Sequence, residues 1–91
     1  MRITWDPVKA AENLRDHRVD LAQAASVMDD PFAIRIEDPA HDAPRFLALG
    51  ATLSGQILVV VYAYGDNDDL RLISAREASR AERRRYAEAR R

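Results

Sequence analysis

The stretch RFLALGATLSGQILVVVYAY, Arg45 to Tyr64, decides the fold. It holds two β-prone runs, RFLALGATL (Arg45–Leu53) and QILVVVYAY (Gln56–Tyr64), separated by Ser54-Gly55. That arrangement predicts two antiparallel strands joined by a tight hairpin. The second run is almost continuously apolar, which places it centrally in a sheet. Its apolar part, Ile57 to Tyr64, is far shorter than the roughly 18 residues a membrane helix needs.

Working outward, GDNDD (Gly65–Asp69) is a turn and LRLIS (Leu70–Ser74) a further strand, with Leu70 and Leu72 on one face and Arg71 and Ile73 on the other. Ser74-Ala75-Arg76-Glu77 fits a capping box, so a last helix is expected to start directly at the end of that strand. Ala75, Ala78, Glu82, Tyr86 and Ala89 would share its packing face. On the other side of the hairpin, DPAHDAP (Asp38–Pro44) is a loop. Before it, FAIRIE (Phe32–Glu37) alternates Phe32, Ile34 and Ile36 against Ala33, Arg35 and Glu37, as a half-buried strand does.

Further upstream the period becomes helical. Asp6-Pro7 reads as an N-cap followed by proline at the first helical position. The helix is expected to run to about His17, with Val8, Ala11 and Leu14 toward the core. Asp20 caps a second, Ala-rich helix offering Leu21, Ala24, Ala25 and Met28 for burial, and Asp29-Asp30-Pro31 stops it. Ile3-Thr4-Trp5 is a short β-prone start. The reading is α+β in a single domain, residues 1–91: two N-terminal helices, an antiparallel meander of about four strands, and a C-terminal basic helix.

Ninety-one residues support one modest core. With 47% hydrophobic and 32% charged residues, the composition is that of a folded chain. No cysteine is present, which excludes disulfides and thiolate chemistry and suits a reducing cytoplasm. The start, MRITWDPVK, lacks the apolar stretch of a signal peptide, so a cytoplasmic location is expected. The net charge of −1 hides two opposed parts: Arg71 to Arg91 carries eight arginines and three glutamates, +5, against −6 for the first 70 residues. Such asymmetry points to a polyanionic partner, or to one part neutralising the other.

Three constellations bear on chemistry. Lys9, Asn13 and His17 stand at i, i+4 and i+8 on the first helix and project from one side. A lysine, an amide and an imidazole in line suit phosphate binding and proton transfer; the same spacing suits a solvated helix edge with His17 as a C-terminal cap. Arg71 on the last strand joins Arg76, Arg80, Arg83 and Arg84, which stand at i, i+4, i+7 and i+8 on the last helix and align as one stripe. Guanidinium groups match a phosphodiester backbone, and equally an acidic protein surface. Asp38, His41 and Asp42 in one loop, and Asp66, Asp68 and Asp69 in one turn, are carboxylate groups of the type that binds divalent metal; aspartates are also what turns prefer.

WDPVKAAENLRDHRV and LRLISAREASRAERRRY resemble the opening and closing patterns of the BrnT family of toxins from type II toxin–antitoxin modules. Trp5, Asp6, Pro7, Lys9, Asn13, His17 and Val19 match the first pattern. Arg71, Ile73, Ser74, Ala75, Arg76, Ala78, Ser79, Glu82, Arg83 and Tyr86 match the second. The resemblance implies a fold similar to RelE ribonucleases, RNA cleavage that arrests translation, and no cofactor or metal. It also implies a BrnA-like ribbon-helix-helix antitoxin, with operator DNA reached only through that partner, and no membrane association. His17 is then expected to transfer the proton, with Lys9, Arg45, Arg71 and Arg76 binding phosphate and stabilising transition-state charge. Arg80, Arg83, Arg84, Tyr86 and Asn13 are expected to bind RNA, Tyr86 by stacking or through its hydroxyl. The chain departs from the family pattern at Arg18, where glycine is usual, and at Ala43-Pro44 ahead of Arg45. It also lacks arginines usual at the positions of Gln56 and Gly65. Those departures leave open a second reading, a weak or inactive homologue that acts as an antitoxin-binding co-repressor.

Overall fold

The computed structural model describes residues 2–39 and 42–91. Strand β1 (Ile3–Trp5) leads into helix α1 (Pro7–His17). Helix α2 (Leu21–Ala24) follows and runs on as a 3₁₀ turn, Ala25–Asp29. Strands β2 (Ile34–Asp38), β3 (Arg45–Ala51), β4 (Ile57–Tyr64) and β5 (Leu70–Glu77) come next, and helix α3 (Arg80–Ala89) ends the fold. No helix among the described residues is long and apolar enough to cross a membrane.

The sheet order is β1-β5-β4-β3-β2. The four-strand antiparallel meander is as expected, and β4 is central. The predicted β-prone start adds a fifth strand, β1, parallel to β5, so the sheet is mixed. Alternation along β4 supplies two cores, one on each face. Leu58, Val60 and Tyr62 pack with Leu21, Ala24, Val27 and Leu72 under α2 and its 3₁₀ extension. On the other face Val59 packs with Leu49, Ala78 and Tyr86 under α3. The hairpin turns over Thr52–Gln56, and Gly55 takes φ +90°, where a side chain is disfavoured.

Local signals hold at the helix starts. Asp6 accepts the Val8 N–H and Asp20 the Ala22 N–H, both at 2.9 Å. At the end of α1, Arg18 adopts φ 58°, ψ 30°, the left-handed cap conformation in which glycine carries no Cβ penalty. The departure at Arg18 therefore places a strained residue at a helix cap. Arg18→Gly is expected to stabilise the fold by about 1 kcal/mol, raising Tm by roughly 4–8 °C; a melting curve checks it.

Three expectations fail. Val8, Ala11 and Leu14 do not face the core: Val8 is 65% and Leu14 52% exposed, and Ala11 is exposed too. Ala10 and Asn13 turn inward instead, because α1 lies along the edge of β5, whose backbone polar groups need partners. The capping box at Ser74–Glu77 does not form. Those residues continue β5, paired to β4 as far as Leu58 opposite Glu77. The helix starts five residues later at a second S-x-x-E, where Ser79 accepts the Glu82 N–H and Glu82 accepts the Ser79 N–H. Both motifs satisfy a helix start locally, and the long ladder with β4 selects the second. Ala75 consequently belongs to the main core rather than to α3. Phe32 lies outside β2 and is 47% exposed.

Candidate active site

Helix α3 covers only part of its sheet face. Strand register lays that face out in rows. Ile34, Leu49, Val59 and Arg76 form one row, and Ile36, Leu47, Val61 and Ser74 the next. Beyond these, Asp38 pairs with Arg45 across β2 and β3, and Ala63 with Arg71 and Arg71 with Thr4 across β4, β5 and β1. Residues of the first row, Leu49 and Val59, lie in the α3 core. Leu47 of the second row packs against that core as well, and the face beyond it, from Val61 and Ser74 to Arg45 and Arg71, is left open, bounded along β5 by α1.

A depression of about 210 Å³ lies at that boundary, lined by Lys9, Glu12, Asn13, Asp16, His17, Arg45, Ile73 and Ser74. Three of the expected catalytic residues, Lys9, His17 and Arg45, thus come together from two elements far apart in sequence. A β-bulge in β5 contributes: Val61 opposes Ser74 while Tyr62 opposes Leu72. Ile73 is therefore the extra residue, and Leu72 and Ala75 both face the main core. Arg71, exposed, stands in the same sheet row as Arg45 but does not line the depression. Glu12, Asp16 and Ser74 line it as well, and sequence reading missed them. Glu12 and Asp16 are spaced i, i+4, each one residue ahead of Asn13 and His17, so helical spacing carried the signal. Ser74 was hidden by its reading as a helix cap.

Arg76 is placed elsewhere. Its guanidinium donates both Nη groups to Glu82, at 2.8 and 2.9 Å. This bidentate bond, together with the Ser79 N–H, pulls the Glu82 carboxyl down to about 2. The pair joins β5 to the first turn of α3. Arg80, Arg83 and Arg84 are exposed on α3, so the stripe is three arginines, with Arg76 on the strand.

Tyr86 is 3% exposed and its hydroxyl donates to Asp30. Burial, then the Asp30 carboxylate, raises its pKa. It is a core residue and does not meet the open surface. Asn13 is 4% exposed, and its carboxamide is engaged by the Val19 and Ala75 backbone. Asp66 and Asp68 lie in a 3₁₀ turn, and Asp69 pairs with Arg2 at 3.3 Å. His41 lies outside the described residues, and among those described no three His, Asp or Glu side chains gather as metal ligands.

A family model described as the ribonuclease toxin BrnT of type II toxin–antitoxin systems matches residues 5–82. Among solved structures, the crystal structure of the Brucella abortus ribonuclease toxin BrnT is similar, with a TM-score of 0.67 and 27% sequence identity, covering 88% of this chain and 99% of that one. No curated protein matches the chain. The matched segment begins at Trp5, the last residue of β1, takes in α1 and strands β2 to β5, and ends at Glu82 in the first turn of α3. It thus includes every residue lining the depression, and the chain belongs to the BrnT family of ribonuclease toxins of type II toxin–antitoxin systems.

Proposed function

We propose that this chain is a metal-independent endoribonuclease that arrests translation in the cytoplasm and is neutralised by a BrnA-like antitoxin. The observation that carries the reading is the convergence of Lys9, His17 and Arg45 on one depression. RNA cleavage by its own 2′-hydroxyl needs a base for that proton, positive charge for the phosphorane-like transition state, and an acid for the leaving 5′-oxygen. His17 supplies proton transfer. Lys9 and Arg45 supply the charge, the one proton transfer that His17 does not make passes to water, and none of these roles calls for a metal ion. Arg71, in the row of Arg45, and Arg80, Arg83 and Arg84 on α3 would hold the flanking backbone, which explains the +5 charge of the last 21 residues.

The departures at Gln56 and Gly65 weigh unequally. Gln56 lies in the hairpin turn, at the end of β4 remote from Ala63 and the Arg45 row, roughly 20 Å away at about 3.3 Å per residue. An arginine missing there removes no charge from the depression. Gly65 follows the near end of β4, and the absence of an arginine at that position is what favours the co-repressor reading.

Cleavage of a defined single-stranded RNA in EDTA, beside Arg45→Ala prepared identically, separates the two. The native chain is expected to leave 2′,3′-cyclic phosphate ends and the variant to cut roughly 10²-fold more slowly. Equal cutting by both would identify a contaminant. No cutting by either, with or without ribosomes, while a BrnA-like antitoxin still binds, would establish the co-repressor.

A further inference from the structure

Strand β1 ends at Trp5, but its parallel partner β5 continues to Glu77. Beyond Leu72 no strand among the described residues lies beside that edge of β5. Buried N–H and C=O groups on such an edge require partners. At Ala75, 1% exposed, the partner is a side chain. Asn13 Oδ1 accepts the Ala75 N–H at 3.0 Å, and Asn13 Nδ2 donates to the Ala75 C=O at 2.9 Å. The carboxamide takes the place of a neighbouring strand. Its second Nδ2 hydrogen goes to the Val19 C=O at 2.8 Å. That bond pins the chain where it turns from α1 into α2.

The apolar residues of α1 contribute little to fixing the helix. The apolar side chains that would ordinarily set its rotation, Val8 and Leu14, are 65% and 52% exposed. Among the described residues of α1, only Ala10 adds partly buried apolar contact to the main core. Lys9 and His17 stand four residues to either side of Asn13, on the same side of the helix. A rotation of α1 by one residue, about 100°, would carry both away from Arg45.

We propose that Asn13 is a positioning residue of the site: its carboxamide, paired with the Ala75 backbone, fixes the rotation of α1 that brings Lys9 and His17 together with Arg45. This rests on the reading of those three residues as the phosphate and proton-transfer site, and deepens it. The effect is geometric, and misplacement of reacting groups by about 1 Å costs on the order of 10²-fold in rate.

Inorganic phosphate is the probe, followed by NMR on the intact chain. In the native protein the His17 imidazole and Arg45 guanidinium signals should shift with one common dissociation constant. In Asn13→Ala, under conditions where circular dichroism is native, the Ala75 amide should lose protection from exchange. Phosphate should bind about tenfold more weakly, and His17 should no longer respond together with Arg45. Cleavage at saturating RNA should fall roughly 10²-fold with KM within about threefold. Asn13→Gln keeps donor and acceptor on a longer arm and should recover part of that rate. If Asn13→Ala does not fold, Asn13→Gln and Asn13→Ser are read by the same two measures. A folded variant with an exposed Ala75 amide, but native phosphate response and rate, overturns the proposal. If His17 and Arg45 fail to respond together in the native chain, the underlying reading falls first and the positioning role with it.

Discussion

His17→Ala is expected to slow RNA cleavage at saturating substrate by roughly 10²–10⁴-fold, the range a positioned proton-transfer group supplies. Affinity for an uncleavable RNA with a 2′-deoxyribose at the scissile position should stay within about threefold. The imidazole sits in the last turn of α1, exposed, on the rim of the depression that Lys9 and Arg45 share. It contributes little to packing, so the variant should keep its stability within about 0.5 kcal/mol. That combination, lost rate with retained binding and fold, separates proton transfer from a structural cap. Lys9→Ala and Arg45→Ala should weaken binding as well, because cations hold the phosphate in the ground state as well as in the transition state. The three losses should not add, since the groups act on one phosphate. Undiminished cleavage by His17→Ala would transfer the proton to a carboxylate, and Glu12 and Asp16 line the same depression. Asp16 already accepts a hydrogen bond from Arg15, which lowers its pKa, so Glu12→Gln would be the next variant.

What the sequence made legible was local. Asp6 and Asp20 cap helices within two residues of themselves, and the apolar alternation of β3 and β4 expresses burial on each face of one hairpin. The bringing together of Lys9, His17 and Arg45 was reachable only through the family resemblance, since nothing in their spacing links α1 to β3. Where reading failed, the deciding partner lay far along the chain. Helix α1 has an apolar stripe, yet it is turned by hydrogen bonds between Asn13 and Ala75, 62 residues away. Two S-x-x-E boxes compete, and pairing with β4 selects between them. Tyr86 reads as an aromatic on a basic helix, but its hydroxyl belongs to Asp30, 56 residues earlier. Such polar, long-range contacts leave no periodic trace. The basic tail is also divided by them: Arg76 is spent on Glu82, and Arg90 lies over the rings of Phe32 and Tyr86 at 5.5 and 5.8 Å.

Asp30→Ala is expected to destabilise the fold by about 3 kcal/mol, at roughly 1 kcal/mol per lost hydrogen bond. One carboxylate oxygen accepts the Phe32 N–H at 2.9 Å; the other accepts the Ala51 N–H at 2.8 Å and the Tyr86 hydroxyl. The residue therefore ties the turn before β2, the end of β3 and α3 to one another. Burial raises the Asp30 carboxyl, but the Tyr86 hydroxyl, the two amides and Arg90 outweigh it and hold the group below the ordinary carboxylate range. A lowered pKa in the folded chain means stability that is present above the unfolded value, about 3.9, and lost as pH falls below it. Asp30→Ala should remove that acid sensitivity along with the stability. Gly50 packs closely against this residue: a Cβ there would sit 3.0 Å from the Asp30 carboxylate and equally close to Ala33 and Val27. In urea the midpoint should drop accordingly, and Tm by about 12–24 °C at roughly 4–8 °C per kcal/mol. The functional consequence should be selective. Tyr86 is the main aromatic anchor of α3, so its release loosens the helix that carries Arg80, Arg83 and Arg84. RNA affinity and the steepness of its salt dependence should both fall, because fewer phosphates are neutralised. Lys9, His17 and Arg45 line a depression that shares no residue with the Asp30–Tyr86 contact, so the rate at saturating RNA should stay within about threefold. A rate that fell as far as the affinity would mean that α3 acts on the reacting phosphate itself, and Arg80→Ala, Arg83→Ala and Arg84→Ala would then locate the contact.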